Sequence, residues 1–322
     1  MNTFYGTEVT VIIPVHNEAA TIGSIVSELK GALGARSEIL VVDDGSTDGS
    51  GELAGRAGAR VVAHEGRFGN GAAIKTGIRL ARHDTLVMMD GDGQHNPKDV
   101  PRLLDALHEA DLVVGARTTG SDAQPHRRFA NRIYNQLATY LTGRRVPDLT
   151  SGFRATNREK ILPFVAFLPD AFSYPATSTI LFVKHGYRVR FVPIVAAQRK
   201  GRSKIRLVRD GLRFPYIILR SAVMFAPGRL FIPVAVMLFL PGLVYGAYTV
   251  VRYRHLTNSS MFLMSTGVLT FLMGLVSEQV AALRLEISRR TGPPALVLPE
   301  TGPDETEVHP GESAASDGTD IF

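Results

Sequence analysis

The sequence predicts an α/β domain with a mostly parallel sheet, followed by an amphipathic juxtamembrane segment and two transmembrane helices. Three observations carry this reading. Short apolar runs alternate with helical patterns through the first 120 residues. Those runs end in polar or charged residues, as strands of a parallel sheet do where a ligand binds at their carboxyl ends. Late in the chain, residues 230–251 and 256–277 form two stretches of 22 residues without a charge.

The expected strands lie at 9–13, 38–42, 60–63, 85–89 and 111–115, and the helices between them at about 19–33, 47–57, 70–82 and 98–108. The strand ends read Pro14-Val15-His16-Asn17-Glu18, Asp43-Asp44-Gly45-Ser46, Asp90-Gly91-Asp92 and Gly115-Ala116-Arg117. Taken alone, the run from Asp43 to Asp48 is equally a turn with an N-cap. Gly66 to Gly71 lacks the Gly-x-Gly-x-x-Gly spacing directly after a strand, so a dinucleotide loop is excluded. Asn70 is expected to cap the helix that carries Lys75. Residues 121–205 continue the same domain: "RRFANRIYNQLATYLTG" has a helical pattern, "PDLTSGFRATNREKI" reads as a loop leading to a helix, and "YRVRFVPIVAAQRKGRSKI" as a strand running into a basic loop.

The expected organisation is therefore a domain at 1–204, amphipathic interfacial helices at 205–229, two spans with flanks at 230–290, and an acidic disordered tail at 291–322. At 1.5 Å per residue, each uncharged run reaches about 33 Å, enough for a hydrocarbon core of about 30 Å. Pro233, Pro241 and several glycines would damage a soluble helix but are tolerated in a span. Nine Lys/Arg lie between Arg199 and Arg229, and three more follow the second run (Arg284, Arg289, Arg290). The positive-inside rule puts both flanks, and the large domain, on the cytoplasmic side of a cell inner membrane crossed more than once. The opening "MNTFYGTEVTVIIPVHNE" has no basic n-region, so no signal peptide is expected.

Composition narrows the chemistry. The 322 residues include no cysteine, and the nine histidines never fall into an HExxH spacing. Thiol nucleophiles, disulfides and His-based zinc sites are thereby excluded, and any metal is a hard, oxygen-bound cation. The net charge of +6 conceals an acidic tail: seven Asp/Glu and no Lys/Arg from Thr291 onward leave +13 on residues 1–290. So basic a body calls for an anionic partner. Nucleic acid is a poor candidate, because no basic patch is interleaved with aromatics.

Asp90 and Asp92 are two apart in an extended segment, so their side chains share one side with Cα atoms about 6.6 Å apart. Two carboxylates, with Gln94 as a third ligand, suit a cation chelated to a diphosphate, because Mg²⁺ and Mn²⁺ keep substrate phosphates in their shell. An isolated Asp-Gly-Asp is more often a tight turn; its company shifts the reading. "VTVIIPVHNE", "VVDDGSTDGS", "GNGAAIKTGIRLA", "VMMDGDGQHNP", "VVGAR", "DLTSGFRA" and "RKGRSK" occur in that order. Together, over about residues 8–210, they resemble the family 2 glycosyltransferases of the dolichyl- and polyprenyl-phosphate sugar synthase type, in their membrane-anchored bacterial branch.

That resemblance implies a Rossmann-like glycosyltransferase A-type domain. It also implies inverting transfer from a nucleotide-diphosphate sugar to polyprenyl phosphate, with a divalent cation, Mg²⁺ or Mn²⁺. Carried over by position, Pro14, His16 and Glu18 line the nucleotide pocket, and Asp44 reaches the base or ribose. Asp90 and Asp92 form the metal-binding Asp-x-Asp with Gln94 as auxiliary ligand, and Asp90, Asp92 and Arg117 are the catalytic group. Arg117, Arg128, Arg132 and Ser203 are implied to hold the acceptor phosphate. The loop from Arg199 to Lys204 closes over the diphosphate. His16 stands where the family usually has Tyr, and Arg199 lies two before Gly201 rather than three, so the choice among Arg199, Arg202 and Lys204 stays open. Asp148 either orients an arginine or the sugar, or only closes a turn. A diacylglycerol-type hydroxyl acceptor, a non-catalytic scaffold and self-association into a homo-oligomer stay open at this level.

Overall fold

The computed structural model describes residues 8–118, 125–170, 173–197, 223 and 227–291. Its first half alternates as the sequence predicts: β1 (Val9–Val15), α1 (Ile22–Leu33), β2 (Glu38–Asp43), α2 (Ser50–Arg56), β3 (Arg60–Ala63), α3 (Asn70–Leu80) and β4 (Thr85–Met88). A 3₁₀ turn (Pro97–Asp99) and α4 (Val100–Leu107) then lead to β5 (Leu112–Arg117). The turn is capped by the Asn96 side chain, which accepts from the Lys98 amide at 3.0 Å. Next come α5 (Pro125–Thr142), β6 (Arg154–Asn157), α6 (Arg158–Ile161), α7 (Tyr174–Lys184) and β7 (Val189–Ile194).

These strands form one sheet in the order β3-β2-β1-β4-β6-β5-β7. β1 is buried on both faces, which is why it reads as an unbroken apolar run. Val9, Val11, Ile13 and Val15 pack against Ile22, Ile25, Val26 and Leu29 of α1, while Ile12 meets Ile74 and Ile78 of α3. Each such side chain contributes about 1.5–3 kcal/mol on burial. From β1 the chain builds outward through β2 and β3, then returns to lay β4 on the other side of β1. That reversal opens a crevice above the carboxyl ends of β1 and β4, the place where open α/β sheets bind ligands.

One element departs from the sequence reading. Residues 154–157, expected within a loop, form β6 and pair antiparallel with both β4 and β5. Four residues, one of them arginine, give too short and too polar a run to register as a strand. The antiparallel direction matters: Arg154 pairs with Met88 and Val114, so β6 begins where β4 and β5 end. Residues 148–153 are therefore delivered to the ligand edge.

Beyond the sheet, α8 (Pro227–Tyr253) and α9 (Asn258–Thr291) form an antiparallel hairpin. Residues 227–253 and 258–283 are long and apolar enough to cross a membrane. The first encloses the predicted run 230–251, the second covers all but residues 256 and 257 of the run 256–277, and Pro233 and Pro241 lie inside α8. The interfacial segment expected at 205–229 falls outside the described residues except at 223 and 227–229, the last three of which already open α8; the tail from 292 lies outside them altogether. The start of α8 rests on the domain. Tyr140 Oη donates to the Arg229 carbonyl at 2.9 Å, the Arg229 guanidinium donates back to the Tyr140 carbonyl, and Leu230 packs against Leu141. The two apolar helices approach closely at Gly267, where a Cβ would stand 2.8 Å from Phe239 Cβ and 2.9 Å from its backbone nitrogen. Small residues let membrane helices reach this separation. Gly267→Val should force the two helices apart at a cost of about 1–3 kcal/mol, visible as a lower midpoint of thermal unfolding in detergent.

Candidate active site

β4 is driven into the crevice by its buried Leu86, Val87 and Met88, and Met89 continues it by donating its amide to the Ile12 carbonyl at 3.0 Å. Asp90 follows at once. Its Oδ1 accepts from Asn70 Nδ2 at 3.2 Å, and its Oδ2 lies 3.8 Å from Nε2 of the buried His95. The second distance is too long for a hydrogen bond but short enough for charge to be felt. A Cβ on Gly152 would collide with the Asp90 carboxylate, so only glycine lets the residues before β6 pass this close. Burial pushes the Asp90 carboxyl up, but His95, Asn70 and the positive charge of Arg117 outweigh it and hold it below the usual carboxylate range. Asp90 stays ionised at neutral pH.

Asp92 is half-buried in the same loop, and its Oδ1 accepts from the Gln94 amide at 3.1 Å. The loop is tied down twice more. Thr21 Oγ1 donates to the Gly91 carbonyl at 2.7 Å, and the Ala197 amide donates to the Gln94 carbonyl at 2.9 Å. The second bond joins the Asp-x-Asp loop to the segment that follows β7.

Arg117 ends β5, as the sequence predicts, yet its guanidinium is not open on all sides. Nε and Nη2 donate to the two oxygens of Asp148 at 2.8 and 3.0 Å, and Nη2 also donates to Thr150 Oγ1 at 2.5 Å. Of the roles open to Asp148, the structure shows arginine orientation together with a local turn, in which the Thr150 amide donates to Oδ1 at 3.1 Å. Burial would raise the Asp148 carboxyl, but the bonds and charge of Arg117 hold it low. Burial likewise works against the charge on Arg117, which Asp148, then Asp90 and Asp92, restore. Arg117 is thus fixed within the field of both loop carboxylates.

Beneath this pair lies Arg154, fully buried in β6. Its guanidinium donates to the carbonyls of Ser151 and Leu149 and to the hydroxyls of Ser178 and Thr179. Burial pushes it down to about 10, so it too is cationic at neutral pH. Tyr174, buried beside it, donates its hydroxyl to the Gly152 carbonyl at 3.1 Å, and burial together with Asp90 keeps that phenol protonated.

On the other side of the crevice Pro14 is buried within β1, and His16 and Glu18 are half-buried just beyond it. His16 Nδ1 lies 2.9 Å from the Asp44 carbonyl, and the Glu18 amide donates to Ser50 Oγ at 2.8 Å. Asp44, expected to reach the base or ribose, is turned inward instead. It is 3 % exposed, and its oxygens accept from the Phe68 and Gly69 amides at 2.8 Å and face His64 Nδ1 at 3.0 Å. Asp43 and Asp48 also accept backbone amides, so the acidic run is a turn zipped onto residues 17–19.

Arg132 is exposed on α5. Arg128 lies in that helix, but its side chain is outside the described residues, as are Arg199, Arg202, Ser203 and Lys204 altogether. Sequence reasoning missed Asn70, His95, Gly152 and Arg154 as neighbours of Asp90. Asn70 does not cap α3, where Gly69 holds the cap position; the amide turns to Asp90. An arginine between Phe153 and Ala155 was the one available signal for Arg154.

A glycosyl transferase family 2 model matches residues 10–162, and a model of the GtrB C-terminal hairpin matches residues 226–283. The undecaprenyl-phosphate mannosyltransferase of Micrococcus luteus is 32 % identical over 215 residues, 61 % of this chain and 87 % of that one. The chain belongs to glycosyl transferase family 2. The glycosyltransferase AglJ of Haloferax volcanii is 33 % identical over 63 % of this chain and 68 % of its own. Among solved structures, glucosyl-3-phosphoglycerate synthase from Mycobacterium tuberculosis, in complex with Mn²⁺, UDP and phosphoglyceric acid, superposes with a TM-score of 0.56. It is 25 % identical and covers 67 % of this chain and 78 % of that one.

The donor set suits the ion seen in that solved neighbour. Among the described residues no group of three or more His, Asp or Glu could hold a metal on its own. The loop instead offers two carboxylates, one held ionised, with the Gln94 amide two residues beyond. Mg²⁺ and Mn²⁺ accept so partial a cage because substrate phosphates and water complete it. Below Asp90, the Asn70 Oδ1 is buried without a hydrogen-bond partner, an acceptor left over at the same spot.

The Arg117–Asp148 pair is testable by itself. Asp148→Asn leaves a largely buried guanidinium without its counter-charge, a loss of about 2–4 kcal/mol. A carboxylate held below its ordinary value of 3.8 stabilises the fold above that pH and loses its effect as the pH falls further. The variant should therefore unfold earlier than wild type at pH 7, and the gap should close below about pH 4, followed by circular dichroism.

Proposed function

We propose that this glycosyltransferase moves a sugar from a nucleotide-diphosphate sugar to polyprenyl phosphate at the cytoplasmic face of the inner membrane, inverting the anomeric carbon. The observation that carries the reading is a strand-tip loop in which ionised Asp90 and half-buried Asp92 lie within the field of an arginine fixed by Asp148, on a domain seated against two apolar helices. A similarity to an undecaprenyl-phosphate mannosyltransferase over most of that protein's length supports the acceptor class.

Asp90, Asp92 and Gln94 are the residues that would hold Mg²⁺ or Mn²⁺. Bound there, the cation supplies charge neutralisation to the diphosphate leaving group. The chain's own residues do the rest. Asn70 and Gly152 fix the direction of Asp90, and the Thr21–Gly91 bond fixes the height of the loop. Pro14, His16 and Glu18 form the wall over which the nucleotide lies. Arg117, held by Asp148, presents positive charge at the end of β5, where an acceptor phosphate must approach an already anionic donor. Arg128 and Arg132 on α5, with Ser203, extend this acceptor side, and Arg199 and Lys204 belong to the loop that closes over the diphosphate.

The acceptor needs little help to react. A phosphate monoester has its second pKa near 6, so its oxygens are largely anionic at pH 7 and no general base is required. The membrane side of the domain fits a lipid acceptor. α5 exposes Ile133 and Tyr140 beside Arg132, Arg144 and Arg145, and Tyr140 touches the first residues of α8. Apolar and cationic side chains side by side suit a headgroup layer with anionic lipids.

Purified protein in detergent with Mg²⁺ or Mn²⁺ should transfer label from one of a panel of nucleotide sugars to polyprenyl phosphate and not to free polyprenol. Asp92→Ala or EDTA should lower the rate at least ~100-fold; full activity in either would remove the metal role. Gly152→Ala, which pushes the Asp90 carboxylate aside, should weaken Mn²⁺-dependent UDP binding about 10- to 100-fold in calorimetry while the protein stays folded.

A further inference from the structure

Phe68 is the most exposed aromatic side chain among the described residues before α8, at 61 %. A large apolar ring in water is ordinary when its backbone is loose. Here the backbone is held on three sides. The Phe68 and Gly69 amides donate to the two oxygens of Asp44 at 2.8 Å. His64, at the other end of the loop, is 3.0 Å from Asp44 and 3.0 Å from Thr76 Oγ1. Gly66 packs so tightly on Gly45 that a Cβ there would stand 2.9 Å from the Gly66 carbonyl carbon. The ring rests against His64 edge-on, with centroids 5.4 Å apart and planes at 77°. One aromatic side chain is thus set rigidly while most of its surface is left open.

Its position gives that surface a use. Val15 pairs with Asp43, and Asp43 with Ala63, so residues 16, 44 and 64 stand side by side beyond the carboxyl ends of β1, β2 and β3. This row runs away from Asp90 and Asp92 at the end of β4. At about 4.8 Å per strand, β2 lies about 10 Å from β4, comparable to the reach of a nucleoside from phosphate to base. A donor whose diphosphate lies at the Asp-x-Asp loop therefore carries its base toward the 64–69 loop. Asp44, with both oxygens engaged there, is a positioning residue for the loop.

We propose that Phe68 is the stacking platform for the nucleobase of the donor, and that Asp44 acts on nucleotide binding through it. This rests on the donor reading given above. A flat ring offers every base a π-face, so stacking contributes affinity without demanding one base, and its removal is felt as weaker nucleotide binding. The diphosphate end, about 10 Å away, is untouched.

The chain has no tryptophan, so Phe68→Trp makes a single fluorescent reporter in the full-length protein. In detergent with Mn²⁺, UDP or GDP should quench it saturably, and inorganic pyrophosphate should not. Phe68→Ala should weaken nucleoside diphosphate binding about tenfold, with pyrophosphate binding changed less than about twofold, and Phe68→Tyr should restore it. Equal weakening for nucleotide and pyrophosphate, or no weakening, would overturn the assignment. Wild type that binds pyrophosphate but no nucleoside diphosphate would overturn the donor reading and the platform with it; wild type binding nucleotide as well as Phe68→Ala does would overturn the platform alone.

Discussion

A carboxylate placed at the end of a buried strand loses water on most sides, and the fold must replace it. Around Asp90 this is done with an amide from α3, the imidazole of His95 five residues further along, and the field of Arg117. The charges then alternate outward and downward: Asp90 and Asp92, Arg117, Asp148, with Arg154 beneath them all. No member is stable in its place without its neighbours, because an unpaired buried charge costs several kcal/mol. The crevice is therefore ionised and rigid before any substrate arrives, which is the condition for electrostatic stabilisation to act without reorganisation.

β6 is what makes the alternation possible. A parallel strand between β4 and β5 would have its leading residues at the far edge of the sheet. Running antiparallel, it puts Asp148, Thr150 and Gly152 beside Arg117 and Asp90, although they lie about 30 and 60 residues further along the chain. Gly152 then has to be small, and Arg154 has to be buried, as consequences of that one strand direction.

The same economy links the domain to its apolar hairpin. Arg229 and Tyr140 exchange hydrogen bonds where α5 ends and α8 begins. On the α7 side, burial and the charge of Arg229 lower the Lys184 ammonium, and Glu278 of α9 partly offsets them. Glu278 lies beside Gly228 at the end of the hairpin nearest the domain. The crevice and the apolar hairpin are thus registered through the helix that bears Arg128 and Arg132.

Local pattern alone determined a good deal: five strands written as runs of Val and Ile, the helices between them, the acidic pair at a strand tip, and two long apolar helices. Each depends on burial or periodicity within a few neighbouring residues, which composition records directly. What tertiary structure decided were the partners. Asn70 follows a cap-like pattern yet serves Asp90; Asp44 looks like a ligand-facing acid yet holds a loop; Arg117 looks open yet is bound to Asp148; and residues 154–157 look like a loop yet complete the sheet. A hydrogen bond or an ion pair is settled by which segments come within about 3 Å, and that distance exists only once strands far apart in the chain have been laid side by side.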